Sequence, residues 1–142
     1  MDLQQVVDEL LAATGASRCT LRRDMPGDFF PVTHEALAPG VPSIRDERTT
    51  DLRRAPVVRR LLETGEQVVQ DDCASAFGDP AFRRMLAAYG GLAAQIVTPV
   101  FIDGRLTAIV SLHQLGAPRR WSVDERALAA AAGERVRALL AA

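Results

Sequence analysis

The residues of this chain that could do chemistry are few and scattered. Among 142 residues there are two histidines, two cysteines and no lysine, so all 17 basic side chains are arginine. Arginine keeps its proton at any working pH, which removes Schiff-base chemistry, a lysine base and a phosphate-loop lysine. Cys73 follows Asp71-Asp72, and neighbouring carboxylates disfavour a thiolate, so a nucleophilic cysteine is not expected there. His34, Glu35, Asp71 and Asp72 offer metal donors, but no ligand spacing joins them, and neither cysteine lies in a CxxC pattern. His113 is the most informative. It alternates with Ser111 and Ile109 in an apolar run, with Ala108, Val110 and Leu112 between them. A strand would turn the purely apolar set toward a core and the mixed set toward a ligand wall. The plainer alternative is a half-buried strand-end histidine.

Arginine pairs are the other candidates. Arg83 and Arg84 could clamp an anion, or could be solvated surface groups. Arg53, Arg54, Arg59 and Arg60 form the densest basic patch, but Glu47, Asp51 and Glu63 neutralise much of it. That patch reads as the solvated start of a helix rather than a nucleic-acid surface. Phe82, Met85, Leu86 and Tyr89 recur at helical spacing, either as plain core or as the cover of a pocket.

These residues must be held by the following elements. Leu3, Val6, Val7, Leu10 and Leu11 predict a first helix over residues 2–14, closed by Gly15. Residues 18–24 and 29–34 read as a hairpin around Pro26-Gly27-Asp28, and 36–54 as mostly loop. Pro56 opens a helix that Gly65 stops. A short strand at 67–70, a polar loop at 71–79 and a helix at 80–89 follow. Two apolar runs, 93–102 and 105–114, flank Asp103-Gly104, the preferred pair for a type I′ turn. Ser122 and Glu125 form a capping box ahead of a final helix with Leu128, Ala131, Ala132, Val136, Leu139 and Leu140 on one side. The order predicts one α+β domain over 1–142, with a mainly antiparallel sheet of about five to six strands and helices on both faces.

Composition sets the class. Hydrophobic residues are 48%, charged residues 25% and the formal charge is -1, which is ordinary for a globular domain and gives no case for a nucleic-acid or membrane-surface binder. The start of the chain is amphipathic and acidic rather than basic then apolar, so no signal peptide and a cytoplasmic location are expected. The absence of lysine beside many alanines also fits a GC-rich genome.

Order and motifs together resemble the GAF domain, a sensory module, over nearly the whole chain. Residues 56–72, PVVRRLLETGEQVVQDD, are similar to the family's helix, "TG", strand and Asp. Residues 96–112, IVTPVFIDGRLTAIVSL, are similar to its central hairpin, with Ala108 where a small Gly is usual. Residues 122–140 resemble its final helix, which the resemblance packs with the N-terminal helix on one face of the sheet. His113-Gln114 followed by Pro118-Arg119-Arg120-Trp121 resembles a segment of phytochrome-like GAF domains and bacterial sensor kinases. In the tetrapyrrole binders the matching His contacts the chromophore, and Gln95, Val97 and Pro99 would share its face. Their Cys-His attachment pair falls at Phe82 and Arg83 here, so covalent bilin is not implied, while a non-covalent tetrapyrrole stays open. The cyclic-nucleotide binders' Asn-Lys-x-Asp motif is absent from a chain without lysine.

The resemblance implies a non-catalytic small-molecule sensor of bacterial type. Its unknown ligand would lie between the sheet and the helices at 56–64 and 80–89, near His113, Ser111, Gln95, Val97, Phe82, Arg83, Met85 and Tyr89. It implies a homodimer through the terminal helices, with Leu3, Val7, Leu10, Leu128, Ala132, Val136 and Leu139, and a signalling partner in trans. No metal, nucleic-acid or membrane partner is expected. Two alternatives are a protein-interaction module with a vestigial pocket and a Cys-dependent redox enzyme of the methionine sulfoxide reductase type.

Overall fold

Asp103 and Gly104 both take positive φ, 52° and 76°, as the tight turn between two long strands requires. The computed structural model describes residues 1–142, and this hairpin is its spine. In chain order the elements are α1 (Leu3–Thr14), β1 (Arg18–Arg23), β2 (Val32–Leu37), α2 (Pro56–Thr64), β3 (Val68–Gln70), a single 3-10 turn (Cys73–Ser75), α3 (Pro80–Ala88), β4 (Leu92–Ile102), β5 (Arg105–Leu115) and α4 (Val123–Ala141). The sheet has five strands in the order β2-β1-β5-β4-β3, and each neighbouring pair is antiparallel.

Strand alternation divides the apolar residues into two cores. On one face Cys19, Leu21, Ile96, Ala108, Val110 and Leu112 pack against Val6, Val7 and Leu10 of α1 and Ala129, Ala132 and Val136 of α4. On the other, Val97 and Ile109 pack against Val57, Val58 and Leu61 of α2, Phe82, Met85 and Leu86 of α3, and Phe30 and Ile44 from loops. Capping boxes start both terminal helices: Asp2 with Gln5 for α1, and Ser122 with Glu125 for α4. Each satisfies otherwise orphan backbone donors.

Three details differ from the sequence reading. The second strand begins at Val32 and runs to Leu37, rather than covering 29–34. Phe30 takes φ 56° and buries its ring in the second core, so strand pairing resumes only after Pro31. On α4 the inward stripe is Ala129, Ala132, Gly133 and Val136, whereas Leu128 is 41% exposed and Ala131 faces solvent. The helix approaches β4 so closely that a Cβ on Gly133 would lie 2.9 Å from Thr98 Cγ2, which places the small residues inward. Lastly, Val7, Leu10, Ala132 and Val136 are buried within this one chain, so they do not form an outward dimer surface; of the residues expected there, Leu128 is exposed and Leu3 and Leu139 are partly so.

Gly133→Leu should overpack this contact, because Thr98 is stiff at its β-branch. Chemical denaturation should show a loss of about 1–3 kcal/mol.

Candidate ligand site

The second face of the sheet is apolar except for rows of polar side chains crossing it. Arg18 of β1 pairs with His113 of β5, which pairs with Gln95 of β4, which pairs with Gln70 of β3. The next row runs Thr20, Ser111, Val97 and Val68. Arg22 lies beside Ile109 and Pro99 in the third. The three β1 residues of these rows are buried: Arg18 and Thr20 completely, and Arg22 to 8% exposed.

Arg18 carries its charge inward without an ion-pair partner. Its Nη1 donates to the Tyr89 carbonyl and to His113 Nδ1, each at 3.0 Å, and its Nη2 donates to the Pro42 carbonyl at 2.6 Å. Burial lowers its pKa, while the charge of Glu35 opposes that. Arg22 donates to the Phe30 carbonyl and to the Tyr89 hydroxyl, both at 2.9 Å. Guanidinium cannot accept, so Nδ1 of His113 is the acceptor and the proton of the neutral ring sits on Nε2. Burial first, then the positive charges of Arg18 and Arg22, hold the His113 pKa well below 6.5. The imidazole stacks on Tyr89 with ring centroids 5.8 Å apart.

A cavity of about 40 Å³ opens beside this group. It is lined by Arg22, Gln95, Val97, Ile109, Ser111 and His113 from the sheet, Val57 and Val58 of α2, Met85 of α3, Tyr89, and Leu52 and Ala55 from the preceding strap. Of the expected ligand residues, His113, Ser111, Gln95, Val97, Met85 and Tyr89 therefore meet there. Phe82 is buried but faces a neighbouring groove of about 440 Å³, bounded by Thr49, Arg54, Pro56, Asp79 and Arg84. Arg83 is exposed on α3 and lines neither space. Sequence reasoning missed Arg18, Arg22 and the strap residue Leu52. The signal for the arginines was present: Arg18, Thr20 and Arg22 alternate with Cys19 and Leu21 as strictly as the residues of β5 do.

The polar row leads away from the cavity. Gln95 Nε2 donates to Gln70 Oε1 at 2.8 Å, and the Gln70 carbonyl accepts from Trp121 Nε1 at 3.2 Å. Trp121 also donates its backbone N–H to Asp71, and it immediately precedes the cap of α4. Arg119 stacks on the Trp121 ring at 4.6 Å and binds Gln114, the Thr14 carbonyl and Glu125, joining the end of α1 to the start of α4.

The remaining candidates are kept apart. His34 and Glu35 lie on β2 and Asp71 and Asp72 follow β3, at opposite edges of the sheet, so no metal set assembles from them. Burial, more than Asp72, pushes the Cys73 thiol up to about 12, and its Sγ–H points to Gln70 Oε1 at 3.5 Å. Cys19 is buried on the opposite face, where burial pushes its thiol up as well. Of the arginine patch, Arg53 covers the Phe29 ring at 4.5 Å and Arg60 the Phe77 ring at 5.2 Å.

Comparison with known proteins agrees with this architecture. The family model described as GAF domain matches residues 2–140. The GAF domain of the cyanobacteriochrome TePixJ superposes with a TM-score of 0.84 at 20% identity, over 98% of this chain and 86% of that one. A phycoerythrobilin-bound GAF domain from a cyanobacterial phytochrome gives 0.77 at 18% identity, over 98% and 83%. A domain from Sinorhizobium meliloti 1021, assigned to a two-component sensor histidine kinase, gives 0.71 at 12% identity, over 98% and 88%. No curated protein sequence matches significantly.

A bilin does not fit the residues present. No thiol lines the cavity, and about 40 Å³ is far below the roughly 300 Å³ or more that drug-sized ligands occupy.

The neutral His113 makes stability depend on pH. Its folded pKa lies below its unfolded value, so the unfolded chain binds more protons, and stability should fall as pH drops through about 6.5 toward the folded pKa. His34 is shifted the same way, mainly by burial. Urea midpoints between pH 7 and pH 5 should therefore fall more steeply for the wild type than for His113→Gln, which retains His34.

Proposed function

The chain belongs to the GAF domain family, and from that premise we propose that it is a non-catalytic sensory domain that takes a small molecule into the cavity beside His113. One observation carries this reading. The Ser111 hydroxyl and His113 Nε2 make no hydrogen bond within the chain, and both residues line a space otherwise walled mainly by Val57, Val58, Met85, Val97 and Ile109. A bound acceptor would give both groups a partner. A catalytic reading lacks support: both thiols are held protonated by burial, and the His113 nitrogen that could act as a base already accepts from Arg18.

Occupancy would be read at α4. A ligand touching Gln95 presses on the Gln95–Gln70–Trp121 connection, and Arg119 ties the same corner to both terminal helices. Binding would then shift the populations of two arrangements of α1 and α4. A homodimer would pass this shift to a partner in trans, through the outward side of these helices, where Leu128 is exposed. The two unpaired thiols suit a reducing, cytoplasmic setting, and no helix is long and apolar enough to cross a membrane. The small size of the cavity is the observation that favours the second reading, an interaction module whose pocket is vestigial.

Two experiments test this. A library of small carboxylates, amides and amines should include binders that move the backbone amides of Ser111 and His113 in NMR spectra and change the emission of Trp121, the only tryptophan. Gln70→Met should keep the amide shifts and lose the emission change; a protein inert to the whole library would favour the interaction module. In sedimentation velocity, the wild type should run as a dimer and Leu128→Arg as a monomer at the same concentration.

A further inference from the structure

Hydrogen-bond donors outnumber acceptors among the polar groups that line the cavity. Arg22 brings a guanidinium whose only partners are a carbonyl and a phenol. Because Tyr89 Oη accepts from Arg22, its own proton is free to be given away. His113 presents Nε2–H, since Nδ1 is occupied by Arg18. Ser111 adds a hydroxyl. Gln95 gives one of its two amide N–H groups to Gln70, and its Oε1 is the one amide acceptor on this wall. No aspartate or glutamate lines the cavity, and neither Arg18 nor Arg22 takes part in any ion pair of the structure.

Two buried cations without a carboxylate are expensive to maintain. Thr20, between them on β1 and opposite Ser111, is wholly buried with its hydroxyl unpartnered. A protein selected only for stability would fill such a site with hydrocarbon. A neutral imidazole whose free nitrogen carries a proton cannot ligate a metal. The helical wall opposite, Val57, Val58 and Met85, offers an anion no further donors, which disfavours a fully ionised phosphate with oxygens on every side.

We propose that the site takes a small carboxylate with an apolar body. The carboxylate would lie against Arg22, His113 Nε2–H and the hydroxyls of Ser111 and Tyr89, and the hydrocarbon part against Val57, Val58, Met85 and Ile109. This rests on the sensing reading above and names its ligand class. It departs from the tetrapyrroles of the structural relatives on size and on the missing attachment thiol.

Entry passes the strap before α2. Leu52 stands between the 40 Å³ cavity and a groove of about 150 Å³ that shares Arg22 and Tyr89 with it, and Ala55 and Met85 adjoin the 440 Å³ groove. The strap is held by Leu52 against the second core, by Arg53 on the Phe29 ring and by one exposed ion pair to the β1–β2 turn, Arg48–Asp28 at 3.5 Å, of the kind that contributes little. Outward movement of Leu52 joins these spaces into one large enough for a benzene ring.

NMR titration of the wild type with benzoate and butyrate, set against benzamide, butyramide, benzylamine and inorganic phosphate, tests the assignment. The carboxylates should shift the amides of Ser111 and His113 saturably, with the amides bound at least about tenfold more weakly. Arg22→Gln should weaken benzoate by about tenfold or more, and Arg22→Lys by less. Benzamide binding as tightly as benzoate, or phosphate binding in its place, overturns the carboxylate class and leaves the sensing reading standing. Silence from every probe, neutral ones included, overturns both. Comparing isosteres on the wild type keeps the test valid should Arg22→Gln fold poorly.

Discussion

The contact between Arg18 and His113 is the constraint on which the rest of this structure turns. A guanidinium can only donate, and a buried one must find acceptors or destabilise the fold. Arg18 finds two backbone carbonyls, Tyr89 and Pro42, and the Nδ1 of His113. In doing so it fixes which imidazole nitrogen carries the proton, keeps the ring neutral and pins the loop at Pro42 and the end of α3 to the sheet. The stacking of His113 on Tyr89 and the acceptance of Arg22 by the Tyr89 hydroxyl follow from the same placement. One buried charge thus sets the polarity of the whole cavity wall.

The two faces of the sheet serve different ends. The face under α1 and α4 is packed with small and branched apolar residues, with Gly133 against Thr98. The other face accepts polar rows, a cavity and a strap of exposed residues. The link between them is not through the sheet but around its edge, from Gln95 to Gln70 to Trp121 and so to the first turn of α4. Arg119 closes that corner by holding the ends of α1, β5 and α4 at once. Hydrogen bonds thus run without a break from the cavity wall to the residue that precedes the cap of α4.

Much of this was legible in the residues. Asp103-Gly104 named its turn because both positions need positive φ, and Ser122 with Glu125 named the start of α4 because the two groups satisfy each other's backbone. The alternation of β5 separated Ile109, Ser111 and His113 from Ala108, Val110 and Leu112 correctly. What the residues hid was set by tertiary contact. Leu128 looks like a core leucine until the approach of α4 to β4 turns Ala129, Ala132, Gly133 and Val136 inward instead. Phe29 and Phe30 look like a strand until the left-handed backbone at Phe30 sends its ring into the second core. The alternation of β1 places Arg18 and Arg22 on the face of His113, but their burial is set by acceptors from distant segments, the carbonyls of Pro42, Tyr89 and Phe30 among them.

The account stands or falls on the state of one imidazole. Long-range proton–nitrogen correlation spectra of the wild type at neutral pH report which nitrogen of His113 bears hydrogen. The structure predicts a neutral ring protonated at Nε2, with Nδ1 showing the shift of a hydrogen-bonded acceptor, and no titration near pH 6.5. A ring protonated at Nδ1, or an imidazolium at neutral pH, would contradict both the Arg18 contact and the donor-built wall that depends on it.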